Sequence, residues 1–180
     1  MRAARPMSSR LASCVAMLVA LCPFVMCSGA MAADAAKRIV SLAPNLTEIA
    51  FAAGAGDRIV GTAEYSDFPR AARQIPRVSD AFNFDYERIL ALKPDVVLTW
   101  EPGTPREVVE RLRTLGLTTA TIRTEQLSDI AVALRDIGKI AGTQSTATAV
   151  ADAFDAGIAK LRVEYGRRDV VSVLLQINDQ

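Results

Sequence analysis

Four short runs rich in β-branched residues alternate with helical stretches, and this alternation leaves the chain few folds to adopt. The runs are Arg38–Leu42 (RIVSL), Arg58–Ala63 (RIVGTA), Asp95–Trp100 (DVVLTW) and Thr118–Ile122 (TTATI), and each reads as a strand. DVVLTW is apolar almost throughout, as a strand covered on both faces requires. Helices are expected between the runs: Leu46–Ala53 closed by Gly54, Tyr86–Leu92 capped by Asp85 and ended by Lys93-Pro94, a helix running to Leu115 closed by Gly116, and Leu127–Ile140 closed by Gly142. Asn45 with Glu48 three residues on has the form of a capping box. Thr104-Pro105-Arg106-Glu107 combines an N-cap, a proline at the first helical position and a glutamate at the third, the strongest helix start in the chain. Val78–Phe84 reads as irregular. Strands alternating with helices imply crossover connections and a mostly parallel sheet, so the fold class is α/β with a Rossmann-like lobe.

The pattern then changes. Gln144–Tyr165 has no proline and one glycine, with apolar residues at Ala147, Val150, Ala151, Phe154, Ile158, Leu161 and Tyr165. Steps of three and four define one helical stripe, on a helix about 33 Å long at 1.5 Å per residue. Two readings fit: one more packing helix, or a rigid strut leaving the first domain. Val170–Ile177 (VVSVLLQI) reads as a further buried strand and so as the start of a second, truncated lobe.

The first 32 residues read as a targeting segment. Residues 1–10 carry three arginines and no acid, residues 11–26 carry no charge, and Ala30-Met31-Ala32 has the A-x-A form of a cleavage site. The apolar run is short of the roughly 20 residues a membrane span needs, and Pro23 interrupts it. Cys14, Cys22 and Cys27 all precede the expected cut, so the mature chain carries no disulfide, thiolate site or redox motif. The remainder is expected to be exported.

Composition excludes several chemistries. The chain has no histidine, which removes Ser-His-Asp hydrolysis and His-dominated metal sites. A formal net charge of +1 offers no basic excess for nucleic acid. Gly54-Ala55-Gly56 begins like a dinucleotide fingerprint, but the sixth position is Ile59 and the run precedes a strand instead of following one. No phosphate-binding GxxxxGK[ST] run occurs, and acid pairs such as Asp67/Asp80 lack a convergent partner. No catalytic constellation, metal site or cofactor site emerges, so no enzyme is expected.

Ligands of open α/β sheets bind beyond the carboxyl ends of the strands. Here those ends carry Pro44 and Asn45, then Glu64-Tyr65-Ser66, then Trp100-Glu101-Pro102-Gly103. The single tryptophan and an aromatic-rich loop thus share one edge. Flat aromatic faces there suit a large planar or apolar ligand; equally, Tyr65 and Trp100 could simply plug the sheet edge.

The runs Arg38–Pro69 (RIVSLAPNLTEIAFAAGAGDRIVGTAEYSDFP) and Ile75–Trp100 (IPRVSDAFNFDYERILALKPDVVLTW) resemble the periplasmic cobalamin-binding proteins of ABC importers, within the wider group of binding proteins whose two lobes are joined by one long helix. The resemblance implies a signal peptide at 1–32, an N-terminal lobe at 33–142, an inter-lobe helix at 143–168 and the opening of a second lobe at 169–180. It implies a periplasmic monomer that binds a corrinoid, bound neither to nucleic acid nor to a cofactor, and that serves an ABC permease. Tyr65 and Trp100 match family aromatics at the ligand cleft, with Pro44 and Asn45 beside them. Glu87 matches a glutamate that docks into permease arginines; on physics alone it is a solvated acid favoured by the helix dipole. One departure stands out: where the family has a second tryptophan, this chain has Ala81 with Phe82 and Phe84 beside it. Either a phenylalanine, Phe82, takes the platform's place or the ligand differs. Haem and ferric-siderophore binders share the frame, and an exported α/β interaction domain is the remaining alternative.

Overall fold

The computed structural model describes residues 35–80, 82–169 and 171–174. The expected leader and Ala81 lie outside the described residues. Five strands form one parallel sheet: β1 (Ile39–Ser41), β2 (Ile59–Ala63), β3 (Arg77–Ser79), β4 (Val96–Glu101) and β5 (Thr119–Arg123), in the order β3-β2-β1-β4-β5. Among the described residues five α-helices connect and follow them: α1 (Pro44–Ala52), α2 (Tyr86–Ala91), α3 (Arg106–Thr114), α4 (Leu127–Ala141) and α5 (Gln144–Tyr165). The expected α/β class and parallel sheet are what the chain forms.

Alternation along the central strands builds two cores. Ile39, Val96 and Leu98 join the helices α1, α4 and α5 on one face. Val40 and Val97, one residue out of step, join Ile89 of α2 and Val108 and Leu112 of α3 on the other. Side chains one apart point to opposite faces, so a strand buried on both sides is apolar except where a polar group is hydrogen-bonded. Ile39, Val40, Val97 and Leu98 are all fully buried, and the buried Ser41 and Thr99 hydroxyls bond to the Ala43 carbonyl and the Thr121 hydroxyl.

The helix ends confirm some expectations and correct others. Gly54 and Gly116 follow α1 and α3 at φ of +80° and +81°, a left-handed conformation that strains any side chain. Asn45 does not cap α1; the helix starts on Pro44, two residues before the expected Leu46, behind an extended Ala43. Thr104 does not cap α3, whose preceding residue is Pro105. Both side chains bond elsewhere, Asn45 to the distant Thr124 and Thr104 to the N–H of Trp100 four residues before it. A capping box does occur at α4, unforeseen, between Gln126 and Asp129. Asp129 accepts from the backbone N–H of Gln126 and of Glu125, each at 2.9 Å, which holds its carboxyl below the usual aspartate range. The stretch read as irregular, Val78–Phe84, begins inside β3 (Arg77–Ser79), a three-residue strand in which only Val78 is apolar.

Helix α5 spans the expected residues, but its stripe is buried unevenly. Ala147 and Ala151 are fully buried, Val150 and Phe154 are half-buried, and Leu161 and Tyr165 are exposed. The N-terminal half packs closely on α4. Arg135 reaches across to Asp152 at 2.7 Å and Asp155 at 3.2 Å. Of the strand expected at Val170–Ile177, Val171–Leu174 are described; they are not strand and are exposed.

The approach of α4 to α5 depends on Gly138, where a Cβ would meet the Cβ of Ala147. Gly138→Ala will therefore force the helices apart and destabilise the lobe by about 1–3 kcal/mol, the usual range for overpacking. Urea unfolding reads this directly; an unchanged midpoint would contradict it.

Candidate functional site

The chain visits β1, β2 and β3 on one side of the sheet and β4 and β5 on the other. Neighbouring β1 and β4 therefore send their following segments in opposite directions, and a crevice opens beyond their carboxyl ends. A cleft of about 200 Å³ lies there, with Pro44, Tyr65, Phe84 and Trp100 in its walls. Tyr65, Trp100 and Pro44, all expected at a site, are thus brought together. Asn45 lines a different, larger cavity of about 670 Å³ between α1, α4 and α5, together with Phe68, Thr124, Leu127 and Phe154. Phe82 is in neither and is 90% exposed.

Phe84 occupies the place in the cleft wall that Phe82 does not. Asp80 Oδ1 accepts from the backbone N–H of Phe82 and of Asn83, each at 2.7 Å, and Asn83 Nδ2 donates to Asp80 Oδ2 at 2.9 Å. This side-chain-made turn puts Phe82 at its tip and folds Phe84 back, where it bridges Ser79 and packs on the core of Val40 and Val78.

Tyr65 is presented by a strained backbone. Its φ is +61°, unusual for a side chain of this size, and its ring is 78% exposed. The loop is anchored on both sides. Below it, Thr47 Oγ1 lies 3.0 Å from Ser41 Oγ, 3.1 Å from the Ala43 carbonyl and 3.3 Å from Ser66 Oγ. All three hydroxyl residues are buried. Beside it, the half-buried Arg77 guanidinium donates to the carbonyls of Ser66 at 3.1 Å and Ala72 at 3.2 Å and to Thr62 Oγ1.

Trp100 is held at three points. Its Nε1 donates to Thr124 Oγ1 at 2.8 Å, and its backbone N–H donates to Thr104 Oγ1 at 2.9 Å. Its benzo ring lies where a Cβ on Gly103 would fall. Thr104 thus closes the Trp100–Thr104 turn instead of capping α3. Asn45 Nδ2 donates to the same Thr124 oxygen at 3.2 Å. Thr124 was not foreseen, although it follows β5 directly and the strand-end rule points to it.

The charges of the cleft are negative. Glu64 and Asp80 line it, and among the described residues of its wall none is basic. A polar recess of about 230 Å³ adjoins it, sharing those two acids and holding Arg77 and Arg88. Asp80 is held below the ordinary aspartate range by the Asn83 side chain and then by the Phe82 and Asn83 N–H groups. Glu87 is exposed in the first turn of α2, one residue before Arg88, whose N–H donates to the capping Asp85. No group of three His, Cys, Asp or Glu among the described residues is placed to hold a metal ion.

The sequence profile described as periplasmic binding protein matches residues 39–180. The chain belongs to this family. A curated relative named vitamin B12-binding protein, from Vibrio cholerae serotype O1, is 34% identical over 145 residues, covering 81% of this chain and 52% of the relative. One of the same name from Vibrio campbellii is 32% identical over 158 residues, covering 88% and 58%. The chain thus spans about half the length of these relatives. The crystal structure of the periplasmic vitamin B12 binding protein BtuF of Vibrio cholerae superposes with a TM-score of 0.71 at 37% identity, over 73% of this chain and 52% of that one. A periplasmic heme binding protein from Pseudomonas aeruginosa gives 0.65 at 26%, over 71% and 46%. The family is one of binding proteins.

Asp80 gives the site a pH signature. A carboxylate with a lowered folded pKa supports its turn above the unfolded value, about 3.9, and releases it as pH falls through the folded value. The amide protons of Phe82 and Asn83 will therefore titrate together with a midpoint below that of an ordinary aspartate, and Asp80→Asn will abolish the step. A midpoint at or above the ordinary value, followed by NMR, would contradict the turn.

Proposed function

We propose that this chain is a ligand-capturing lobe of a periplasmic substrate-binding protein for cobalamin or a close corrinoid, which passes its ligand to an ABC permease. The observation that carries the reading is the meeting of Tyr65, Phe84 and Trp100 around one cleft at the β1/β4 switch. The names of the relatives at 32–34% identity support the ligand class. Cleft charge adds a physical reason. A corrin is fringed with carboxamides, which donate N–H to acceptors such as Glu64 and Asp80. A haem brings two propionates and many ferric siderophores are anionic, so both would meet like charge.

At about 200 Å³ the cleft is below the usual 300–1,000 Å³ of a small-molecule site. It serves as one wall only. In this reading residues 33–142 form the first lobe, 143–168 the inter-lobe helix and 169–180 the opening of a second lobe, with 1–32 removed on export. The exposed second half of α5 is then the part that leaves the first lobe. Glu87, on the outer side of α2, orients the complex on permease arginines by charge pairing.

Protein expressed from the complete gene, titrated with cyanocobalamin, haemin and a ferric siderophore, will show saturable tryptophan quenching by cyanocobalamin alone. Tyr65→Gly relieves the positive φ, so folding stability will hold, while affinity falls tenfold or more, on the order of a lost aromatic hot spot. Quenching by haemin or siderophore instead would move the ligand; no response from a folded protein would favour the interaction-domain reading. Glu87→Ala will leave cyanocobalamin affinity unchanged and slow its uptake by cells that depend on this protein. Normal uptake at equal expression would remove the docking role.

A further inference from the structure

We infer that Thr124 is the positioning residue of the ligand platform: its hydroxyl fixes the Trp100 indole in place before ligand arrives. This rests on the reading that Trp100 packs on the ligand.

An indole N–H can only donate, so at 2.8 Å Thr124 Oγ1 is its acceptor. The same oxygen accepts from Asn45 Nδ2 at 3.2 Å. A hydroxyl oxygen has two lone pairs, and both are committed. The three residues come from three elements that end at one sheet edge: Asn45 opens α1 after β1, Trp100 lies at the end of β4, and Thr124 follows β5. Thr124 itself stands on a fixed base. The next two backbone N–H groups, of Glu125 and Gln126, both donate to Asp129 at 2.9 Å.

The remaining restraints act on other parts of the ring. Gly103 backbone lies against the benzo edge, and the Trp100 N–H to Thr104 bond fixes the main chain at the root of the side chain. Thr124 is the one polar hold on the pyrrole edge among the described residues. Thr124 and Asn45 line the larger cavity between α1, α4 and α5, whereas Trp100 lines the cleft, so the hydrogen bond ties the ring of the cleft wall to the framework behind it. A ligand meeting a ring already fixed has no rotamer to order. Ordering one side chain on binding otherwise weakens affinity roughly threefold to tenfold.

The test uses protein from the complete gene. The Trp100 indole N–H resonance is assigned by its loss in Trp100→Phe, then followed in Thr124→Val and Thr124→Ser. Cyanocobalamin association and dissociation rates are measured on the same samples. Thr124→Val keeps the side chain's shape and removes the acceptor. It will shift the indole resonance, speed its hydrogen exchange and raise the dissociation rate roughly threefold to tenfold, with little change in association. Thr124→Ser restores all three. Asn45→Ala leaves the indole bond in place but frees its acceptor, and will give a smaller change in the same direction. It carries the test if Thr124→Val does not fold. An indole resonance indifferent to Thr124→Val, or a shifted resonance with wild-type dissociation, overturns the positioning role alone. Failure of the unmutated protein to bind cyanocobalamin overturns the ligand reading as well.

Discussion

β1 and β4 run side by side with helices packed on both faces, and the chain leaves them in opposite directions. This pairing, Ile39 to Val96 through Ser41 to Leu98, sets both the make-up of the strands and the place of the cleft. It requires strands that are apolar on both faces except where a buried hydroxyl, Ser41 or Thr99, finds a hydrogen-bond partner. It also opens the crevice at the carboxyl edge, because no crossover passes over the gap between the two strands. Fold and site thus have one origin. A slip of β4 by one residue against β1 would move Val97 to the α1/α4 face and turn Trp100 away from the cleft.

Much of this architecture is legible in the sequence because each element carries its own evidence. Four strands announce themselves as β-branched runs, and the glycines after α1, α3 and α4 mark where those helices stop. The fifth strand, Arg77–Ser79, has one apolar residue, and its pairing comes from outside: Thr62 N–H donates to the Pro76 carbonyl and Glu64 N–H to the Ser79 carbonyl. No local pattern contains that. The helix caps fail for a related reason. Asn45 and Thr104 have the chemistry of N-caps, but a short polar side chain serves whichever donor or acceptor the tertiary structure brings nearest. For Asn45 that is Thr124, for Thr104 the backbone of Trp100.

The site divides along the same line. Tyr65, Trp100 and Pro44 lie at strand ends, so topology alone places them together. The choice between Phe82 and Phe84 depends on a turn made by the Asp80 carboxylate, two hydrogen bonds that hydrophobic patterning does not register. Thr124 obeys the strand-end rule as well as Trp100 does, yet a lone threonine carries no chemical signature until its partners are seen.

The supports beneath and behind the aromatic residues are hydroxyls: Ser41, Thr47 and Ser66 under the Tyr65 loop, Thr104 and Thr124 around Trp100. A serine or threonine hydroxyl keeps its proton at any acidity a living cell meets, and the chain has no histidine to gain one. Tyr65 and Trp100 braced this way keep their places as pH moves through neutrality, where none of these hydroxyls titrates.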